Sequence, residues 1–115
     1  MKIQEADQMM VILQTMLQAK GIVGFKIARN LRMIEEELKE FNKIKGELFQ
    51  KYGESKGDNL IIEKDTENFT KYNEDIKPYL EQEVNFDFKK ITDDEFMNSD
   101  LTAEQIYILS NYFGE

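Results

Sequence analysis

The chain has 115 residues, neither cysteine nor histidine, and a formal net charge of −8. That length supports one domain with a single modest core, and the missing residue types exclude disulfides, Cys/His zinc sites and any Cys or His nucleophile or base. With 41% hydrophobic residues, 33% charged residues and one proline, the composition is that of a folded, helix-rich protein.

The acidity is uneven. Residues 1–62 carry 10 Lys/Arg and 9 Asp/Glu, whereas residues 63–115 carry 5 and 14. Such a surface opposes binding to a phosphate backbone, which relies on Lys and Arg displacing counterions. It is either an ordinary solubilising surface or an acidic face that docks on a basic protein groove. The apolar run Met9-Met10-Val11-Ile12-Leu13 is too short to span a bilayer and lacks the flanks of a secretory signal. The expectation is a soluble cytoplasmic protein without a membrane role.

In chain order, Ile3, Ala6, Met9 or Met10, Leu13, and Met16 or Leu17 recur every three or four residues and predict a first helix over 3–20, with Gly21 as its C′ residue. The methionines read as core. The short Gly21–Gly24 link predicts a helical hairpin, with the first helix folded back along the second. That second helix is expected to run from Phe25 to Tyr52, roughly 42 Å at ~1.5 Å per residue. Its stripe of Ile27, Leu31, Ile34, Leu38, Phe41, Ile44, Leu48 and Tyr52 slips at Ile44. The first helix should cover the near half of that stripe, and a β ribbon with the last helix the far half. Lys26, Arg29 and Arg32 gather where cations oppose the helix dipole. They answer either a negatively charged partner or internal acids, such as Glu36 for Arg32.

Gly53–Asp58 reads as a loop, and Asn59–Lys64 as a short strand. Asp65 or Thr66 caps a third helix over 67–83, which Pro78 should break or kink near Lys77. Val84–Lys90 alternates apolar and polar residues strictly, as a half-buried strand does, and its expected partner is Leu60–Lys64. Thr92–Asp100 is an acidic loop with room for a helical turn. Thr102 with Gln105 makes a capping box, Leu101 can staple to Ile106, and Leu109, Tyr112 and Phe113 complete the buried face of a last helix. The fold class is therefore α+β and mostly helical: one domain over 1–115, with a helical hairpin at 1–52 and an acidic α+β half at 53–115.

Four stretches carry residue types suited to chemistry, and each lacks a part that the chemistry requires. Glu37–Glu40 matches the first carboxylate pair of the all-helical nucleotide pyrophosphatases, but the E-x-x-D they also require occurs nowhere in the chain. Asp93-Asp94-Glu95 lacks EF-hand spacing. Gly53–Asp58 is not followed by the Lys-Ser/Thr of a phosphate cradle. Ser110 and Thr92 have no histidine to activate them. The reading is a protein that is not an enzyme and needs no metal or cofactor.

With the elements laid out, the chain resembles a family of small proteins from phages and prophages of Gram-positive bacteria, defined only as a domain of unknown function. The resemblance lies in the Met1-Lys2-Ile3 start, in Gly24-Phe25-Lys26-Ile27-Ala28-Arg29, and in Tyr52-Gly53-Glu54 before a polar turn. It continues in Glu83-Val84-Asn85-Phe86-Asp87 and in Leu101-Thr102-Ala103-Glu104 ahead of closing aromatics. Pro78 departs from the family pattern. The resemblance implies a phage accessory protein acting inside a bacterial host. Its action would be protein–protein binding to a host or phage protein with a basic surface, as an inhibitor of a host defence or nucleic-acid-binding protein in the anti-CRISPR manner. The candidate contacts are Asp87, Asp93, Asp94, Glu95 and Asp100, with Lys26, Arg29 and Arg32 as a second cluster. The alternative is a structural or assembly factor of the phage particle that self-associates along the long helix.

Overall fold

The first chain reversal depends on two glycines. In a computed structural model describing residues 1–115, α1 (Ile3–Gln14) ends six residues short of the expected Lys20, because the Thr15 hydroxyl donates to the Ile12 carbonyl and the Met16 N–H to the Leu13 carbonyl in a tighter turn. Gly21 then adopts φ +71°, and a β-carbon on Gly24 would lie 2.1 Å from the Ala19 carbonyl oxygen. Only glycine lets the loop close onto the first turn of α2 (Gly21–Glu37). Gly21 thus opens the second helix rather than following the first, and α1 and α2 form the expected hairpin.

The single long helix of the sequence reading is two helices. The path bends at Leu38, where φ is −89° and ψ is 7°, and α3 (Lys39–Tyr52) continues beyond it. The bend falls just before the slip in the stripe at Ile44, so the two halves face different neighbours. Val23, Ile27, Leu31, Ile34 and Leu38 enter one core with Ala6, Met9, Leu13 and Met16 of α1. The α3 half turns instead to α4 (Glu67–Leu80), where Phe49 and Tyr72 meet edge to face at 6.1 Å and the Tyr52 hydroxyl donates to Asp75. The far half is covered by α4, not by the last helix.

The ribbon is local. β1 (Glu54–Lys56) pairs antiparallel with β2 (Asn59–Ile61) in the register Lys56↔Asn59, and Gly57 takes φ +62° at the first turn position, as a two-residue primed turn requires. Part of the stretch read as loop is therefore β1. Helix α4 runs through Pro78 to Leu80 instead of breaking near Lys77. So close to the end of the helix, proline deprives only the carbonyl of Glu74, an exposed residue, of its donor.

Val84–Lys90 is extended and keeps its predicted alternation, but it has no ladder with β2. Single bridges tie its ends, Lys2↔Glu83 and Ile91↔Gly114. Its inward aromatics stack, with Phe86 and Phe88 centroids 4.9 Å apart and Phe88 at 5.0 Å from Phe113 of α6 (Ala103–Phe113). Both capping boxes of the C-terminal third form: Thr102 with Gln105 for α6, and Thr92 with Glu95 for the five-residue α5 (Asp93–Met97).

The main core unites α1, α2, α5, α6 and the extended segment, while α3, the ribbon and α4 project as an arm. The principal extents are 50 × 31 × 22 Å and the radius of gyration is 17.0 Å, against roughly 13 Å for a compact chain of this length.

Candidate functional site

Position 30 on the inner face of α2 holds the only buried polar residue. Asn30 Nδ2 donates to the Lys89 carbonyl at 3.0 Å, and its Oδ1 accepts the Lys89 N–H at 2.7 Å. One side chain thereby satisfies both main-chain groups of one residue and fixes the extended segment against the helix. The sequence reading passed over Asn30, although a polar residue one turn from Ile27 and Ile34 was a visible anomaly on an apolar face.

Lys26, one turn earlier, is not a free cation. Its Nζ donates to the Lys90 carbonyl at 2.6 Å and to Glu95 Oε1 at 2.7 Å, and both side chains of the ion pair are about one-fifth exposed. Glu95 also accepts the Thr92 N–H, and the Lys26 bond followed by the Thr92 bond holds its carboxyl below the usual glutamate range. Two of the predicted contacts are therefore spent on each other. Cation and acid lie 69 residues apart in sequence, so no local pattern joined them.

The other candidates separate into three places. Asp93 and Asp94 occupy the first turn of α5, exposed and without a cation in bonding range. Asp100 accepts the Lys20 N–H at 3.2 Å and so ties the α5–α6 connection to the start of α2. Asp87 faces outward from the extended segment and lines a cleft of about 290 Å³ with Met33, Glu36, Glu37 and Asn85. The acids do not form one continuous face.

Arg29 and Arg32 stay at the surface. The Arg29 guanidinium lies 5.1 Å from the centre of the Phe25 ring. Arg32 reaches Glu36, but at 3.9 Å and with both side chains more than 70% exposed this pair contributes little. The two arginines border a cleft of about 570 Å³ together with Phe25, Met33, Glu36 and Lys89. Lys89 was absent from the predicted cluster because only the fold brings it beside α2.

No three Asp or Glu side chains converge as a metal-binding group. No helix is long and apolar enough to cross a membrane. No protein-family model matches this chain, and no curated protein or solved structure matches it either.

Proposed function

We propose that this is a non-enzymatic binding protein, of the kind phages carry as accessory factors, that docks inside the bacterial cell on a partner protein with a basic surface. The observation that carries the reading is α5. Met97 is 82% exposed, and Asp93 and Asp94 precede it by four and three positions, on the same side of the helix. An unbranched, polarisable side chain exposed to water beside two carboxylates does nothing for the core and suits an adaptable contact. The two unpaired acids supply long-range attraction to positive charge. Buried Phe96 and the Glu95–Lys26 pair fasten the opposite side, so the surface is presented on a fixed mount. Exposed Leu17 and Ile22 flank the loop that Asp100 binds.

A basic groove that ordinarily holds nucleic acid matches this chemistry, and occupying it would inhibit a defence or nucleic-acid-binding protein. The test is capture from host lysate with the native chain and with the Asp93→Asn, Asp94→Asn, Met97→Ala triple variant. The expected partner binds the native chain, elutes at about 0.5 M salt, and is not retained by the variant. A partner held equally by both forms and indifferent to salt would overturn the reading. Self-association through the long helix is the weaker alternative, since α4 lies along the half of the stripe it would use. Light scattering separates the two: a dimer dissociated by Leu48→Glu would restore assembly as the function.

A further inference from the structure

On another face, the two clefts beside α2 share Met33 and Glu36 and so form one groove from Phe25 to Glu37. The 12 steps between those two residues correspond to roughly 18 Å at ~1.5 Å per residue. One wall is the outer side of α2, and the other is the extended segment. Charge along the groove is ordered. Arg29, Arg32 and Lys89 border one cleft and Glu37 and Asp87 the other, with Glu36 on the margin they share.

The cationic end is prepared for a ligand. Arg29 rests on the Phe25 ring, Arg32 is held only loosely by Glu36, and Lys89 makes no ion pair. The Asn30 clamp fixes the Lys89 backbone opposite α2. The segment wall also carries unused main-chain groups: from Asn85 through Phe88, no backbone N–H or C=O bonds another residue of the chain. In an extended strand, alternate residues direct these groups to the same edge. Asn85 and Asp87 line the groove, so their free main-chain groups lie beside it.

We propose that this groove seats an extended segment of a partner protein, with a carboxylate-bearing end held by Arg29, Arg32 and Lys89. Further along, the segment would carry a neutral or basic residue opposite Glu36 and Asp87. The charge order selects this occupant. A nucleic-acid strand has a phosphate at every step and would run from the three cations into three carboxylates, on a chain of net charge −8. A small anion would use one end and leave the remaining length empty. A peptide can change charge along its path, place an apolar side chain on Phe25 and Met33, and bond the free main chain of Asn85 and Asp87. This surface is distinct from α5, and the inference stands without the α5 reading.

The test is selection of a random twelve-residue peptide library on the immobilised full chain, followed by affinity measurement on an enriched synthetic peptide. The expected peptides carry paired Asp/Glu followed within about four residues by a neutral or basic residue, as the ~3.3 Å rise of an extended chain requires. Arg29→Glu with Arg32→Glu should weaken binding by about tenfold or more, and Arg29→Lys with Arg32→Lys by less, because charge persists while the planar fork is lost. Amide shifts on peptide addition should centre on Asn85–Phe88. All these side chains are exposed or rim-lying, and an unchanged far-UV spectrum certifies the variants. Enrichment of peptides without the acidic pair, affinity unaffected by the double Glu variant, or tighter binding of an oligothymidylate or of inorganic phosphate than of the peptide would each overturn the proposal.

Discussion

Replacing Asn30 by alanine is expected to cost about 2–3 kcal/mol. The side chain makes two hydrogen bonds to Lys89, at 2.7 and 3.0 Å, each worth about 1 kcal/mol net. Its removal also leaves a void against Ile27 and Ile34 in a fully buried site, adding up to about 1 kcal/mol for the lost packing. Water can reach the exposed Lys89 and satisfy its released groups, which keeps the total below the penalty for orphaned buried partners. For a chain of this size the loss corresponds to a fall in Tm of about 8–12 °C, readable by circular dichroism. Amide exchange at Lys89 should accelerate by a similar free energy. Asn30→Asp supplies a sharper check. The carboxylate can accept the Lys89 N–H but cannot donate to its carbonyl, and burial raises its pKa. The variant is therefore least stable at neutral pH and recovers as pH falls through that raised value, where the protonated group donates again. A loss under about 0.5 kcal/mol for Asn30→Ala, with unchanged Lys89 exchange, would refute the clamp.

Gly24→Ala should destabilise by more than about 2 kcal/mol, since its β-carbon would sit 2.1 Å from the Ala19 carbonyl oxygen and backbone must move. Gly46→Ala, where nothing lies within 4 Å, should instead stabilise α3 by about 0.5–1 kcal/mol; paired thermal melts test both. Because Lys26 and the Thr92 N–H depress the Glu95 pKa, the stability they contribute is present at neutral pH. It fades as pH falls below the ordinary glutamate range and through the lower value of Glu95. The stability gap between the native chain and Glu95→Gln should close across that acid window, and NMR titration of the Glu95 carboxyl should show the low midpoint. Thr102→Ala removes the cap bonded to the Gln105 N–H and should lower stability by about 1 kcal/mol in urea denaturation.

What could be read from the sequence was governed by range. The Thr102–Gln105 capping box spans three residues and forms as expected. The alternation of Val84–Lys90 identified an extended, half-buried segment, because the two-residue period is intrinsic to the segment itself. Its partners are not: Lys2, Asn30 and Gly114 lie far away in sequence, and the nearest strand of suitable length was the wrong choice. Gly57-Asp58 was a legible hairpin signal that the glycine-rich context disguised as loop. The bend at Leu38 left only the slip at Ile44 as its trace. At the candidate site, Asp93 and Asp94 were correctly placed on an exposed acidic element, whereas the role of Glu95 depended on a lysine 69 residues away.

The extended segment also has a kinetic meaning. The α1–α2 hairpin and the α3–ribbon–α4 arm are built from neighbours in sequence and can assemble by closing short loops. The segment closes long ones: Val84 N–H bonds the Met1 carbonyl, and Asn30 reaches 59 residues forward to Lys89. Such seams are joined late, after the helices they connect. Weakening this one should therefore leave the folding rate of the chain nearly unchanged and appear in the unfolding rate. The strand that binds the molecule together would then determine how long it stays folded, and hardly at all how quickly it folds.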